Sequence, residues 1–162
     1  MWPRIAAGGQ ALSLRTFCNT MYTGFKHLHS FLAYLVLLAV AAAVIYALLN
    51  RSGKRPFAGM GRKLAFFGLI GTHLQFLVGI VLYFVSPLGV SNFSGTAMGD
   101  PVQRLYMLEH PLMMMLAVVM VTIGNAKAKR AANDAGKFRA VSLWYGIGLV
   151  LMLSRIPWSA WL

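Results

Sequence analysis

The sequence predicts an all-α membrane protein, a bundle of four transmembrane helices with both termini outside. Three observations carry this reading. Hydrophobic residues fill 59% of the 162 positions and charged residues only 11%, a balance too apolar for a water-soluble domain. Four separate windows, 28–49, 64–85, 101–125 and 140–158, each hold the roughly 20 residues that cross a hydrocarbon core of about 30 Å. The basic residues are also placed unevenly: Arg51, Lys54, Arg55, Arg62 and Lys63 lie between the first two windows, and Lys127, Lys129, Arg130, Lys137 and Arg139 between the last two. Short loops rich in Lys and Arg stay on the cytoplasmic side. Both basic loops therefore face inside, and the termini and the 87–104 loop face outside. A transmembrane barrel would need strands of alternating polarity, which the windows lack.

The net charge of +12 is thus a topology signal, with the anionic headgroups of the lipid bilayer as its partner. No nucleic acid is implied, because neither basic loop interleaves aromatic residues.

Residues 1–20, MWPRIAAGGQALSLRTFCNT, stand apart from the windows. They hold two arginines and no acidic residue, and lack the continuous apolar core of a secretory signal. They read as a disordered N-terminal arm, or as sequence upstream of a start at Met21, leaving 21–162 as the transmembrane domain. Cys18 is the only cysteine, so no internal disulfide or cysteine-based metal site is available.

Helix one carries His27 and His29 at its outer end. Two positions apart is about 200° around a helix, so one ring faces the bundle interior and the other the headgroups or a propionate. Helix two carries His73 near its middle, and Gly71, Gln75 and Gly79 recur along it at every fourth position. Such a stripe suits close helix contact, and also the flat edge of a porphyrin. The connection PLGVSNFSGTAMGD has turn chemistry. It ends where Asp100 can cap helix three, with Pro101 in the first position and Gln103 reaching back to the cap.

Helix three contains MLEHPLMMML. Pro111 lies in its interior, where it has no N–H for the carbonyl of Met107 and should kink the helix beside His110. Met113, Met114 and Met115 read as adaptable packing. Helix four has no histidine and brings Arg155 to its outer end. Tyr106, Trp144, Trp158 and Trp161 fall near span ends, as interfacial anchors do.

Polar groups inside spans call for a functional explanation. All four histidines lie in or at the edge of the membrane, and neutral imidazole is the commonest metal ligand. Haem iron held by two histidines needs them on facing helices, at comparable depth, on opposite sides of a flat macrocycle. Counted by helical rise, His29 lies about 5 Å below Lys26 and His110 about 9 Å below Arg104, whereas His73 lies about 20 Å below Ser86. His29 and His110 are therefore the expected pair, and His73 joins only if helix two is shifted or the outer boundary lies nearer to it. Arg104 and Arg155 are placed to meet propionates or to snorkel toward phosphate. Glu109 has Arg104, Arg155 and a histidine ring nitrogen as candidate partners, and three readings: an acceptor that orients a ligating imidazole, a group that takes up a proton, or an ion-pair partner of Arg155 across helices three and four.

The segments MYTGFKHLHSFLAYLVLL, GTHLQFLVGIVLYFVSPLG, GTAMGDPVQRLYMLEHPLMM and LSRIPWSAWL resemble those of a small family of bacterial four-helix membrane proteins described as cytochrome b-like. The resemblance covers nearly all of 21–162, including the four histidines, Glu109 and Arg155. It implies a b-type haem and brings no ligand assignment. HLQFLVG is also similar to one helix of the haem A synthase family, but the Glu-x-x-His-Arg pattern of that family is absent, since His110 and Pro111 follow Glu109 directly.

The leading expectation is a multi-pass cytochrome of the bacterial inner (cytoplasmic) membrane. It would hold one bis-histidine haem b near the outer face and pass electrons between quinol and an outer-face redox partner, as a monomer or an oligomer. Two alternatives stay open. One is a cofactor-free subunit or small transporter whose histidines and Glu109 form a hydrogen-bonded relay. The other is a copper site built from His27, His29 and His110 with Met107, because mixed imidazole and thioether ligands suit copper.

Overall fold

The structure, a computed structural model, describes residues 6–160; of the side chains before residue 19 it describes that of Thr16 alone, and Trp161 lies outside the described residues. Five helices follow in order: α1 (Ala6–Leu49), α2 (Met60–Val85), the short α3 (Gly95–Gly99), α4 (Pro101–Arg130) and α5 (Asp134–Ser154). No strand occurs among the described residues. Four of the helices are long and apolar enough to cross a membrane.

Helix α1 has 44 residues and is about 66 Å long, more than twice the apolar thickness of a bilayer. It runs through 6–20, where the sequence suggested a disordered arm or residues upstream of the start. The physical reason is local: from Gln10 to Thr20 no glycine or proline interrupts the run. Helix α5 begins at Asp134, earlier than the window at 140, because Asn133 caps it by accepting a hydrogen bond from the Gly136 amide at 2.8 Å. It ends at Ser154 rather than 158, since Pro157 disfavours helix at the residue before it.

The helices run up and down and pack as a ring, α1 on α2, α2 on α4, α4 on α5 and α5 on α1. The two basic connections consequently share one end of the bundle. Large apolar side chains such as Phe31, Leu38, Leu49, Phe84 and Val150 are exposed around the outside. A surface of that kind is a lipid-facing one, and the chain is a multi-pass helical membrane protein.

The half of the bundle nearer the basic loops is filled. Phe138 is fully buried against Phe57 and Tyr46, with ring centroids 5.1 and 6.1 Å away. The Tyr145 hydroxyl crosses the diagonal from α5 to donate to the Ala65 carbonyl on α2 at 2.8 Å. Glycines let the helices approach: a Cβ on Gly124 of α4 would stand 2.8 Å from the Trp144 Cβ and 2.9 Å from the Tyr145 ring.

The α1–α2 turn is closed by Gly53, whose φ of +73° is left-handed and whose amide donates to the Asn50 carbonyl at 2.9 Å. A Cβ there would lie 2.7 Å from the Ala135 nitrogen of α5. Gly53→Ala is expected to cost about 2 kcal/mol of stability, from the backbone strain and the clash together. Denaturant unfolding of the detergent-solubilised variant reads this directly, and a midpoint equal to the wild type contradicts the turn geometry.

Candidate functional site

The other half of the bundle is hollow. A cavity of about 430 Å³ opens between α1, α2, α4 and the end of α5, walled mainly by apolar groups such as Val36, Phe76, Ile80, Met114 and Met152. This volume and this lining, apolar with a few convergent polar groups, are those of a small-molecule or cofactor pocket. Its polar groups include His29, Thr72, Gln75, Tyr83 and His110, with Lys26 also on its lining.

Helices α1 and α4 are diagonal partners in the ring, and at this level their histidines meet. The rings of His29 and His110 have centroids 6.1 Å apart and planes crossing at 79°. Each ring is held from behind. His29 lies on Gly79 of α2, where a Cβ would come within 3.2 Å of its Cε1, so the glycine makes room for the imidazole. The Gln75 amide donates to the His29 carbonyl at 2.9 Å and sits 3.4 Å from His29 Nε2. His29 Nδ1 and Gln75 Oε1 are buried with no hydrogen-bond partner. Unpartnered buried polar atoms are uncommon and call for a reason. His110 donates from Nδ1 to the Arg155 carbonyl at 2.8 Å. With that proton placed, its Nε2 carries a lone pair, the usual arrangement of a ligating imidazole fixed by a backbone acceptor.

The backbone that presents His110 is not α-helical. Residues Leu105–Glu109 form a π turn inside α4, and the His110 amide donates to the Leu105 carbonyl five residues back. Pro111 is the cause, since it cannot supply the N–H that the Met107 carbonyl would receive in an α-helix. Where the sequence predicts a kink, the helix has this π turn. The Met107 carbonyl is not left bare: the Tyr83 hydroxyl of α2 donates to it at 2.9 Å.

The same turn organises Glu109. At about 100° per residue, positions five apart on an α-helix diverge by about 140°, but π spacing returns them to one face. Arg104 and Glu109 accordingly meet, Nε to Oε1 at 2.9 Å. Arg155, capping the end of α5, reaches the other oxygen, Nε to Oε2 at 3.2 Å. Arg104 also donates to the Met98 carbonyl at 3.0 Å. The carboxylate thus sits between two guanidinium groups, and Arg155 engages both Glu109 through its side chain and His110 through its carbonyl. Arg104 and Arg155 are both among the partners expected for Glu109 from the sequence, and the π turn is what puts Arg104 on the same face.

The remaining sequence candidates lie elsewhere. His73 hydrogen-bonds the Leu69 carbonyl through Nδ1 at 2.8 Å and lies 3.4 Å from Thr122 Oγ1 through Nε2, a link from α2 to α4 away from the cavity lining. His27 is exposed and lines a shallow hollow on α1 with Asn19, Thr20 and Thr23. The one-in, one-out arrangement of His27 and His29 is what the structure has, with His29 inward. Met107 is buried. No group of three or more His, Cys, Asp or Glu side chains able to hold a metal ion occurs among the described residues. Asp100 caps α4 by accepting from the Gln103 amide at 2.8 Å. The Gln103 side chain instead accepts from Asn92 at 2.9 Å, rather than reaching back to the cap.

Sequence reasoning missed Tyr83 and the role of Gln75. A missing donor at Met107 was legible from Pro111, but which side chain fills it depends on how α2 and α4 face each other.

No protein-family model, curated protein or solved structure matches the chain. The fold and the site therefore define its class by geometry: a four-span helical bundle with a diagonal histidine pair on an apolar cavity.

Proposed function

We propose that this protein is a membrane-embedded b-type cytochrome in which His29 and His110 hold one haem, as the resemblance of its segments to bacterial cytochrome b-like proteins implies. The observation that carries the reading is the histidine pair across the cavity. Imidazoles bound to opposite sides of one metal, at a metal–nitrogen distance of about 2.0 Å, have ring centroids about 6 Å apart; here the separation is 6.1 Å. An edge-to-face contact alone spans a similar range. A ligand set is favoured by three further features: the free lone pair on His110 Nε2, the buried unpartnered His29 Nδ1, and the apolar cavity beside both rings.

A bound haem supplies one-electron chemistry at near-constant structure. The chain's own residues set its surroundings. The Arg155 carbonyl fixes the His110 ring and makes it a more basic donor. Gly79 seats the His29 ring against α2, and the wall of the pocket is mainly apolar. Arg104, Arg155 and Glu109 together carry a net charge of +1 at the cavity end of the bundle, which favours a carboxylate-bearing group nearby. By the charge asymmetry of the loops, the cavity end faces outside and the basic end the cytoplasm of a bacterial inner membrane. Quinol in the bilayer and a redox partner at the outer face would then be the electron donor and acceptor.

The test is a reduced-minus-oxidised absorption spectrum with pyridine haemochrome quantification on protein purified from cells with ample haem supply. A b-type α-band at about one haem per chain is the expected result. Haem-free protein under those conditions overturns the reading.

A further inference from the structure

Tyr83 is not part of the pair, yet it touches the backbone that aims one member of it. Three observations meet there. Pro111 removes the only backbone donor that an α-helix would offer the Met107 carbonyl. Met107 is buried, 1% exposed, and in a bilayer no water is on hand to substitute. The Tyr83 hydroxyl donates to that carbonyl at 2.9 Å from a different helix. The π turn Leu105–Glu109 surrounds the accepting residue, and its last hydrogen bond is made by the His110 amide.

We infer that Tyr83 is a positioning residue, a lock from α2 that stands in for the amide proton Pro111 lacks and so holds α4 in the π register that turns His110 toward His29. The lock has two consequences in the structure. His110 faces the Arg155 carbonyl on one side and His29 on the other. Glu109 falls on the same face as Arg104 five residues back, a pairing that α-helical spacing would separate. Releasing the carbonyl would leave it buried and unpaired, and the turn would relax toward whichever geometry gives it a donor. Both of the groups that depend on the register, His110 and Glu109, would then move together.

This inference rests on the haem reading for one of its readouts and is independent of it for the other. The experiment compares wild type, Tyr83→Phe, and Tyr83→Phe combined with Pro111→Ala, all as full-length protein in nanodiscs. Alanine at 111 restores an N–H for Met107 in α-helical register, so the double variant repairs the carbonyl without restoring the π turn. Tyr83→Phe is expected to weaken haem retention about tenfold or more, the ratio that corresponds to an unpaired buried carbonyl. The double variant is expected to regain thermal stability while haem retention stays low. In haem-free protein, the ¹⁵N resonance of His110 Nδ1 is expected to shift in both variants, as its bond to the Arg155 carbonyl is lost.

Wild-type haem retention in Tyr83→Phe, or recovery of haem along with stability in the double variant, overturns the positioning role; the second result would make Tyr83 a donor for the carbonyl and nothing more. If the wild type takes up no haem, the cytochrome reading fails and the ¹⁵N comparison alone decides on Tyr83: an unmoved His110 resonance in Tyr83→Phe overturns the inference and a shifted one sustains it.

Discussion

Replacing either His29 or His110 by alanine is expected to abolish the low-spin b-type spectrum, while His27→Ala and His73→Ala keep it. Altering groups that merely orient a ligating histidine weakens metal sites by about 10- to 100-fold, so removing the ligand itself should cost more than about a hundredfold in haem affinity. His73 is engaged with Leu69 and Thr122, and His27 faces a surface hollow; neither lines the cavity. Circular dichroism of the same preparations separates loss of haem from loss of fold. Haem retained in His110→Ala, or lost only in His73→Ala, would assign the ligands differently. Haem retained in all four single variants would remove imidazole ligation from the account.

Gly124→Leu is expected to have the largest effect on the bundle itself. Even a Cβ at this position meets the Trp144 Cβ at 2.8 Å and Tyr145 ring atoms at 2.9 and 3.1 Å. Helix association in lipid depends on close packing between small residues rather than on hydrophobic exclusion. A leucine must push α4 from α5 or displace Tyr145 from the Ala65 carbonyl, at a cost of about 3 kcal/mol. The fall should show in the unfolding midpoint of detergent-solubilised protein. A midpoint within experimental error of the wild type would show that α4 and α5 do not approach as described.

How much of this was legible in the sequence varies with the range of the interactions involved. The four spans followed from composition and length, because hydrocarbon thickness acts on each helix separately. The Asp100 cap and its Pro101 were local in the same sense. Comparable depth for His29 and His110 came from helical rise alone, and the two rings do meet. What the sequence hid is what passes between helices. Pro111 announced a carbonyl without a donor, but Tyr83 lies 24 residues earlier in the chain. Arg104 is a partner the sequence offers Glu109, but only the π turn puts the two, five apart, on one face. The run 6–20 lacks a span's hydropathy, yet nothing in its chain from Gln10 onward stops a helix, and α1 continues through it.

On the proposed function, His29 and His110 would clamp one haem iron between them. Low-temperature electron paramagnetic resonance of the oxidised, purified protein tests it most directly, since two imidazole ligands give low-spin ferric haem. With ring planes crossing at 79°, the expected signal is low-spin and strongly anisotropic, as near-perpendicular imidazoles produce. A high-spin ferric signal, which requires an open or weakly filled axial position, would contradict the clamp.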